Sequence, residues 1–279
     1  MKKIFLFLAT SLILFAGCEK NDPEQVEDEG DSALPGIFTV NAQGKKVRFS
    51  KGNLQATYKS NTRTYTWDFA ANQYSYVGNA AGNASIDSLT DGAVVDLFGW
   101  STSMTYYGIS TSTRGVDYPG AFVDWGKAYC ASNGIAAEGT WRTLSKDEWT
   151  YLFNDRTMTN GKERYSNAVA VGGVTIEGKT YKGAFLYPDN YNGDVVSGSM
   201  TWDGINAAGI VFLPAAGYRE GSGVLGVDGG GTYWSSSADD EEGYEDYAHL
   251  VIFWREDAYP DDSGSRHYGF SVRLITESN

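Results

Sequence analysis

The chain has 279 residues, of which 42% are hydrophobic and 20% are charged, so it can bury a sizeable core. Its formal net charge is −13 at pH 7, and a protein surface of that sign repels nucleic acid, which we exclude as a partner. Two cysteines and two histidines are too few for a disulfide scaffold or a Cys/His zinc site.

The N-terminus has the organisation of an export signal. Two lysines precede an apolar run from Ile4 to Ala16, which is too short to cross a membrane comfortably. Residues 15–18, Phe-Ala-Gly-Cys, resemble the lipobox of bacterial lipoproteins. We therefore predict a lipoprotein signal peptide over residues 1–17 and a lipid on Cys18, which would be the only membrane anchor. The alternative is an ordinary signal peptide that happens to contain a cysteine.

The following stretch, residues 18–34, is acidic and has almost no large apolar side chains. Such a segment cannot bury enough surface to fold, so we predict a disordered tether. Acidic residues directly after a lipidated cysteine resemble the surface-export signal of Bacteroidetes lipoproteins. That resemblance implies an outer-membrane lipoprotein that faces outward at the cell surface. We expect residues 35–279 to form one folded domain.

Short alternating runs, which are typical of β-strands, occupy most of this folded region. Residues 38–40 and 46–49 flank a turn at 41–44, which predicts a hairpin. A continuous apolar run at 210–213 predicts a central strand. Further strands are predicted at 64–69, 73–77, 168–174, 181–187, 233–237, 247–254 and 269–275.

Two segments have helical patterns. Residues 120–132 place apolar side chains, Cys130 among them, on one stripe, so we predict a helix there and a buried thiol. Ser145 and Glu148 form a capping-box pattern, which predicts a second helix with Trp149 on its buried face. Strands, two helices and more strands indicate an α+β fold and disfavour a doubly wound parallel sheet.

Three common enzyme motifs, HExxH, CxxC and GxSxG, do not occur in the sequence. Both histidines, His249 and His267, lie in the β-rich C-terminal region, and neither has a recognisable nucleophile turn nearby. We therefore predict that the protein is not an enzyme. A carboxylate-dependent glycan-acting enzyme remains the alternative, because the sequence also contains clustered acids that could supply a catalytic pair.

The acidic cluster is the strongest anomaly in the composition. Residues 239–246 contain six carboxylates, and between 238 and 262 the acids are accompanied by a single lysine or arginine, Arg255. A solvated face is the simplest interpretation. A calcium site is an alternative because carboxylate oxygens suit that ion, but the nearest EF-hand-like segment, residues 189–194, has a tyrosine at its third position. We therefore predict no cofactor, and calcium stays the less favoured possibility.

Tyrosine and tryptophan are interleaved with these acids, which favours a third interpretation, a recognition surface. Tyrosine provides rigid contact area at low entropic cost, and aromatic rings with carboxylates also suit sugars. The candidate ligand-binding residues are Tyr233, Asp239, Asp240, Glu242, Tyr244, Glu245, Tyr247, His249, Trp254, Glu256, Tyr259, Asp261, His267 and Tyr268.

Four blocks of the sequence resemble those of a known protein family. They are WRTLSKDEWTYLF at 141–153, AGIVFLPAAGYR at 208–219, YWSSS at 233–237 and RHYGFSVRL at 266–274. In this order they resemble the Fibrobacter-succinogenes-type major paralogous domain, which occurs in secreted proteins and lipoproteins of Bacteroidetes and their relatives. The resemblance extends from about residue 36 to the C-terminus.

That family is similar to the C-type-lectin-like fold, which is shared with formylglycine-generating enzymes and with the variable proteins of diversity-generating retroelements. The resemblance implies two helices framed by antiparallel strands and hairpins. It does not extend to formylglycine generation, because the reactive cysteines are missing, or to calcium-dependent sugar binding, because the Glu-Pro-Asn and Trp-Asn-Asp signatures are missing. In diversified relatives the variable interval corresponds to residues 238–268 of this chain.

Together these expectations describe a surface-exposed lipoprotein that binds a protein or glycan ligand, with a role in adhesion or recognition. The predicted binding surface is the acidic and aromatic segment near the C-terminus. A pilus-associated structural subunit is a further alternative.

Overall fold

A computed structural model describes residues 32–136, 139–158, 161–169 and 172–278. The predicted signal peptide, Cys18 and residues 19–31 of the predicted tether lie outside the described residues. Residues 32–34 already pack on the folded region, since Leu34 is buried and Ala33 forms a β-bridge with Ser50. Within the described ranges, no helix has the length and apolar character needed to cross a membrane.

The paired strands are antiparallel. In chain order they are β1 (Phe38–Thr39), β2 (Lys46–Phe49), β3 (Leu54–Lys59), β4 (Thr64–Phe69), β5 (Val94–Val95), β6 (Trp141–Thr143), β7 (Tyr165–Asn167), β8 (Val174–Ile176), β9 (Lys179–Tyr181), β10 (Gly183–Leu186), β11 (Val211–Pro214), β12 (Tyr218–Glu220), β13 (Gly223–Leu225), β14 (Gly230–Ala238), β15 (Tyr247–Trp254), β16 (Asp257–Ser265) and β17 (Leu274–Glu277). The α-helices are α1 (Ala81–Ala84), α2 (Trp125–Ser132), α3 (Lys146–Thr150) and α4 (Trp202–Ala207). The predicted α+β class is therefore confirmed.

The first and last strands of the described region meet in one sheet of order β1-β2-β17-β6. Ile275 in β17 lies opposite Phe49 of β2 on one side and Arg142 of β6 on the other. The predicted hairpin at 38–49 forms the outer part of this sheet. The C-terminal strand thus closes a sheet that began more than 200 residues earlier.

The remaining strands form smaller sheets. Two of these sheets help to position the acidic and aromatic segment at residues 238–268. One has the order β14-β15-β16, and the other has the order β11-β10-β7. Strand β16 was not predicted, because its sequence is polar and contains both a proline and a glycine. Residues 238–268 therefore include a regular strand rather than an irregular loop alone.

Helix α2 begins later than the sequence pattern predicts. Residues 120–124 are not helical, because they bind other loops: the Val123 N–H donates to the Ser101 carbonyl, and Arg266 donates to the Gly120 carbonyl. Asp124 then caps the helix by accepting from the Gly126 N–H at 2.9 Å. A β-carbon on Gly126 would lie 1.8 Å from the carbonyl oxygen of Trp141. The absence of a side chain there lets α2 pack directly on β6.

Helix α3 has the predicted capping box. The Ser145 hydroxyl accepts from the Glu148 N–H at 3.2 Å, and the Glu148 carboxylate accepts from the Ser145 N–H at 2.9 Å. Arg142 donates to both oxygens of Glu148 at 2.7 Å. Trp149 is fully buried, as predicted, and the chain continues beyond Thr150 as a π-helical turn at Tyr151–Asp155.

The expectation of two helices was incomplete, because α1 and α4 also form. Helix α4 is capped by the Thr201 hydroxyl, which accepts from the Gly204 N–H. Both helices are short, with six residues or fewer, and neither shows the repeated apolar spacing that the sequence prediction required. A 3₁₀ turn at Gly115–Asp117 was missed for the same reason.

Several strand predictions also need correction. Residues 73–77 are not a strand, because the Gln73 side chain is buried and bonds the backbone of Ile210 and Phe212 instead. The run at 210–213 does form a buried strand, β11, but at the edge of its sheet rather than the centre. In the closing segment only 274–277 is paired as a strand; Phe270, Val272 and Leu274 nevertheless face the core, as predicted.

Buried arginines bind the loops between these small sheets. Arg219 donates to the carbonyls of Leu97, Ser110 and Gly221, and Arg273 donates to the side-chain oxygens of Asn53 and Gln73. Burial lowers the pKa of the Arg273 guanidinium to about 10. These arginines satisfy backbone and amide oxygens that water cannot reach, and so they hold long loops in place.

Candidate functional site

The candidate site is built on the β14-β15-β16 sheet. Ile252 of β15 lies opposite Thr232 of β14 and Tyr259 of β16, so these three residues share one face. In the same way Leu250 lies opposite Asp262. The registers of both strand pairs shift, between Trp234 and Ala238 and between Leu250 and Ile252, which marks a β-bulge or irregularity in each.

The two faces of strand β15 have different surroundings. Val251 and Phe253 point into the core cluster that contains Trp149 and Tyr233. Leu250 and Ile252 point to the opposite side, toward Phe270 and Tyr268. One face of the sheet is therefore structural, and the other contributes to the molecular surface.

A groove of about 260 Å³ lies on this second face. Its lining residues are Tyr218, Thr232, Leu250, Ile252, Asp262, Ser263, Gly264, Tyr268 and Phe270. The rings of Tyr218 and Tyr268 meet edge to face with centroids 5.8 Å apart. Trp254 is 48% exposed and Tyr259 is 45% exposed, and their positions on β15 and β16 extend the same face. We call the groove and these two residues the aromatic face.

The acidic loop, residues 239–246, lies between β14 and β15. Tyr244 is 44% exposed, and its ring contacts that of Tyr247 edge to face with centroids 5.1 Å apart. Hydrogen bonds from the backbone N–H groups of Glu245 itself and of Gly243 lower the pKa of the Glu245 carboxyl. The loop thus presents a tyrosine among carboxylate side chains close to one end of β15.

Most of the predicted binding residues are accessible. Exposed ones are Asp240, Glu242, Tyr244, Glu245, Trp254, Glu256, Tyr259 and Asp261, and Tyr247 and Tyr268 are half-buried. The buried ones are Tyr233, Asp239, His249 and His267. The structure therefore brings ten of the predicted residues to the surface.

Tyr233 needs a correction, because it has no exposed surface and cannot meet a ligand on the outside of the protein. Its hydroxyl donates to the Pro214 carbonyl at 3.2 Å and accepts from the Asn53 side chain at 3.0 Å. Burial raises the pKa of this hydroxyl. Tyr233 is a core residue that ties β14 to β11 and to residue 53.

His267 is also mostly buried. Its Nδ1 lies 2.8 Å from the Ser265 hydroxyl, and its ring packs on Tyr268. Burial lowers the pKa of the imidazole. In the described residues the Nε2 atom has no hydrogen-bond partner, so the pair lacks the carboxylate that would complete a Ser-His-Asp triad.

Asp239 and Asp240, at the start of the acidic loop, form a second feature together with His249. One carboxylate oxygen from each aspartate and one imidazole nitrogen of His249 all lie within 4.8 Å of one another. This donor set could hold a metal ion. The sequence pattern did not indicate it, because His249 lies on β15 and the aspartates lie at the other end of the loop.

Several groove residues were also missed, namely Tyr218, Thr232, Leu250, Ile252 and Phe270. Leu250 and Ile252 looked like core positions in an apolar run, and nothing local distinguished them. Tyr218 comes from β12 and reaches the groove because Gly217 bridges Gly231 of β14. Only the tertiary structure places residues so distant in sequence around one groove.

Other concave regions match the predicted residues poorly. A pocket of about 390 Å³ beside Tyr106 and Tyr118 contains none of them, and a shallow depression of about 580 Å³ near Arg164 contains only Glu256. The groove of the aromatic face is smaller, but the face includes three predicted aromatic residues that are exposed or half-buried, namely Trp254, Tyr259 and Tyr268. We therefore take it as the candidate site.

Comparison of the chain with family models, with curated proteins and with solved structures finds no match.

Proposed function

We propose that this protein is an outer-membrane lipoprotein, facing the cell exterior, that binds a protein or glycan ligand through the aromatic face and the acidic loop. The supporting observation is a sheet face with exposed Trp254 and Tyr259, a groove beside them, and carboxylates along its edge. Solvent-exposed tryptophan and tyrosine next to a concave surface are the residues that binding interfaces use most.

The topology supports the proposal that the fold is C-type-lectin-like. The C-terminal strand β17 lies between β2 and β6, so the two ends of the domain pair within one sheet. Helix α2 packs on β6 and helix α3 packs against β14, β15 and β16, and both lie where the sequence predicted a helix. The acidic loop and β16 then fall within residues 238–268. This interval corresponds to the segment whose sequence varies in diversified relatives of the family that the chain resembles.

The chemistry of the face suits both kinds of ligand. A sugar ring can stack on Tyr268 or Trp254 while Asp262 accepts from its hydroxyl groups. A protein can instead place apolar side chains in the groove and lysine or arginine near the acidic loop. We favour binding over carboxylate catalysis because Asp240, Glu242 and Glu245 are exposed, whereas a catalytic acid needs a carboxyl group shielded from water.

The proposal is tested with a variant in which Tyr244, Tyr247, Trp254 and Tyr259 are all replaced by alanine. A glycan and host-protein array first identifies a ligand for the wild-type protein. The quadruple variant should lose binding of that ligand by about 100-fold or more, since a few aromatic anchors supply most of the affinity of an interface. Its thermal unfolding should stay close to that of the wild type.

A matched control is Tyr106→Ala, which removes a 63% exposed tyrosine that lies outside the aromatic face. This variant should bind normally. Normal binding by the quadruple variant would contradict the proposal. Unfolding of the quadruple variant would also contradict it, because the four side chains would then belong to the core.

Salt dependence distinguishes the two ligand classes. Exposed carboxylates are screened beyond about 8 Å at physiological ionic strength, so binding of a cationic protein should weaken as salt is added. Binding of a neutral glycan should change little. If the acidic loop takes part in binding, a cationic protein found on the array should bind more weakly at high salt. A neutral glycan found on the array should bind about equally well at low and high salt.

A further inference from the structure

We propose that Asp239, Asp240 and His249 form a binding site for a divalent transition-metal ion, of which Zn²⁺ is the representative. The site lies at the base of the acidic loop. The inference does not rest on the proposed ligand-binding function, because the cluster can be tested without any ligand.

The chain brings the three residues together through the β14–β15 pairing. The Asp239 N–H donates to the Tyr247 carbonyl at 3.1 Å, which places Asp239 across from Tyr247. His249 is two residues further along β15, so its side chain emerges on the same face as those of Tyr247 and Asp239. Asp240 follows at the start of the acidic loop and reaches the same point.

Among the described residues, Asp239 lacks a countercharge and one ring nitrogen of His249 lacks a hydrogen-bond partner. Asp239 is only 6% exposed, and among the described residues its carboxylate forms no ion pair with a lysine or an arginine. His249 is 8% exposed, and its Nδ1 atom is buried with no hydrogen-bond partner in the described structure. A buried carboxylate without a countercharge and a buried polar nitrogen without a partner are both costly. A cation bound by the Asp239 carboxylate and by the Nδ1 atom of His249 would remove both costs.

A hydrogen bond also orients the carboxylate of Asp239 for metal binding. Its Oδ1 atom accepts from the Glu241 N–H at 3.1 Å, which fixes the orientation of the group. Hydrogen bonds of this kind to metal-binding side chains raise metal affinity. The donor atoms are at present up to 4.8 Å apart, whereas ligand atoms around Zn²⁺ lie about 3.3 Å apart given bonds of about 2 Å. Asp240 is exposed, so a change of rotamer can bring its carboxylate closer to the other two donors.

The donor set selects the class of metal. One imidazole nitrogen and two carboxylate oxygens match the three protein ligands of an open zinc site, with water in the remaining position. Calcium instead takes six to eight oxygen ligands, so an imidazole and two carboxylates suit it poorly. The ion would fasten the beginning of the acidic loop to β15.

The test is titration calorimetry of the purified full-length protein after treatment with EDTA. Zinc chloride should bind with one ion per chain. Asp240→Asn and His249→Gln should each weaken zinc binding by about 100-fold or more, because loss of a direct ligand should cost at least as much as loss of an outer-shell group, which costs about 10- to 100-fold. Calcium chloride should neither bind at this stoichiometry nor displace zinc.

Asp261→Asn is the matched control, since it removes the same charge from an exposed aspartate outside the cluster. It should leave zinc affinity unchanged. X-ray absorption of the zinc-loaded wild type should show one nitrogen ligand from imidazole. If His249→Gln fails to fold, the Asp240→Asn variant still tests the proposal, because replacement of an exposed residue should leave the fold intact. Three outcomes would each overturn the proposal. They are no saturable zinc binding, equal weakening of zinc binding by Asp240→Asn and Asp261→Asn, and tighter binding of calcium than of zinc.

Discussion

At the scale of single residues, Asp96 is a fully buried carboxylate. It accepts hydrogen bonds from the Asn83 side chain and the Val77 N–H, both at 2.7 Å. Burial nevertheless raises the pKa of this carboxyl to about 6, because the hydrogen bonds only partly offset the loss of hydration.

This raised pKa predicts a pH effect on stability. Between about pH 4 and pH 6 the folded protein binds a proton at Asp96 that the unfolded chain has released, so the contribution of Asp96 to stability falls as the pH rises through this window. Relative to Asp96→Asn, the free energy of unfolding of the wild type should therefore drop by about 2 to 3 kcal/mol from pH 4 to pH 7. Urea unfolding of both proteins at several pH values measures this difference. A difference that does not vary with pH would contradict the raised pKa.

Trp149 provides a prediction about packing. Its indole is fully buried, contacts Phe49 with ring centroids 6.1 Å apart, and donates from Nε1 to the Trp234 carbonyl at 3.4 Å. Trp149→Ala should lower the free energy of unfolding by about 3 to 5 kcal/mol, because it leaves a large cavity. Trp254→Ala, which removes an exposed tryptophan, should cost much less. Similar costs for the two replacements would show that Trp149 is not a core residue.

At the scale of elements, helix α3 depends on its capping box. The Ser145 hydroxyl satisfies the N–H of Glu148, and an alanine there would leave that donor without its partner. Ser145→Ala should therefore cost about 1 kcal/mol in chemical denaturation. The control Ser199→Ala, in an exposed loop, should stay within about 0.5 kcal/mol of the wild type. Equal effects would mean that the cap contributes nothing.

At the scale of the whole molecule, the proposed lipid anchor would decide where the protein resides. If Cys18 carries the lipid, Cys18→Ser removes the acceptor of that lipid, and the protein should move from the membrane fraction to a soluble pool. Cell fractionation followed by immunodetection measures this distribution. Cys130→Ser, which changes a buried cysteine of α2, should leave the membrane fraction unchanged. Membrane retention of the Cys18 variant would reject the lipoprotein proposal.

Strong local patterns predicted much of the fold. The hairpin at 38–49, strands β4 and β15, the capped start of α3 and the core side of Phe270, Val272 and Leu274 all follow from alternation or from capping within a few residues. Gln73 and residues 120–123 were assigned wrongly because their backbone conformation is set by partners far away in the sequence. Strand β16 was missed because pairing with β15 overrides its weak local preference for strand.

The sequence alone determined the α+β class, the order of most strands, the buried face of α3 and the acidic and aromatic character of residues 239–268, since these follow from composition and short-range periodicity. Only the tertiary structure decided that Tyr233 belongs to the core, that Tyr218 joins Leu250 and Tyr268 around a groove, and that His249 meets Asp239 and Asp240. The reason is physical: burial and convergence depend on strand pairing between distant segments, and a single residue of register moves a side chain from one face of a sheet to the other.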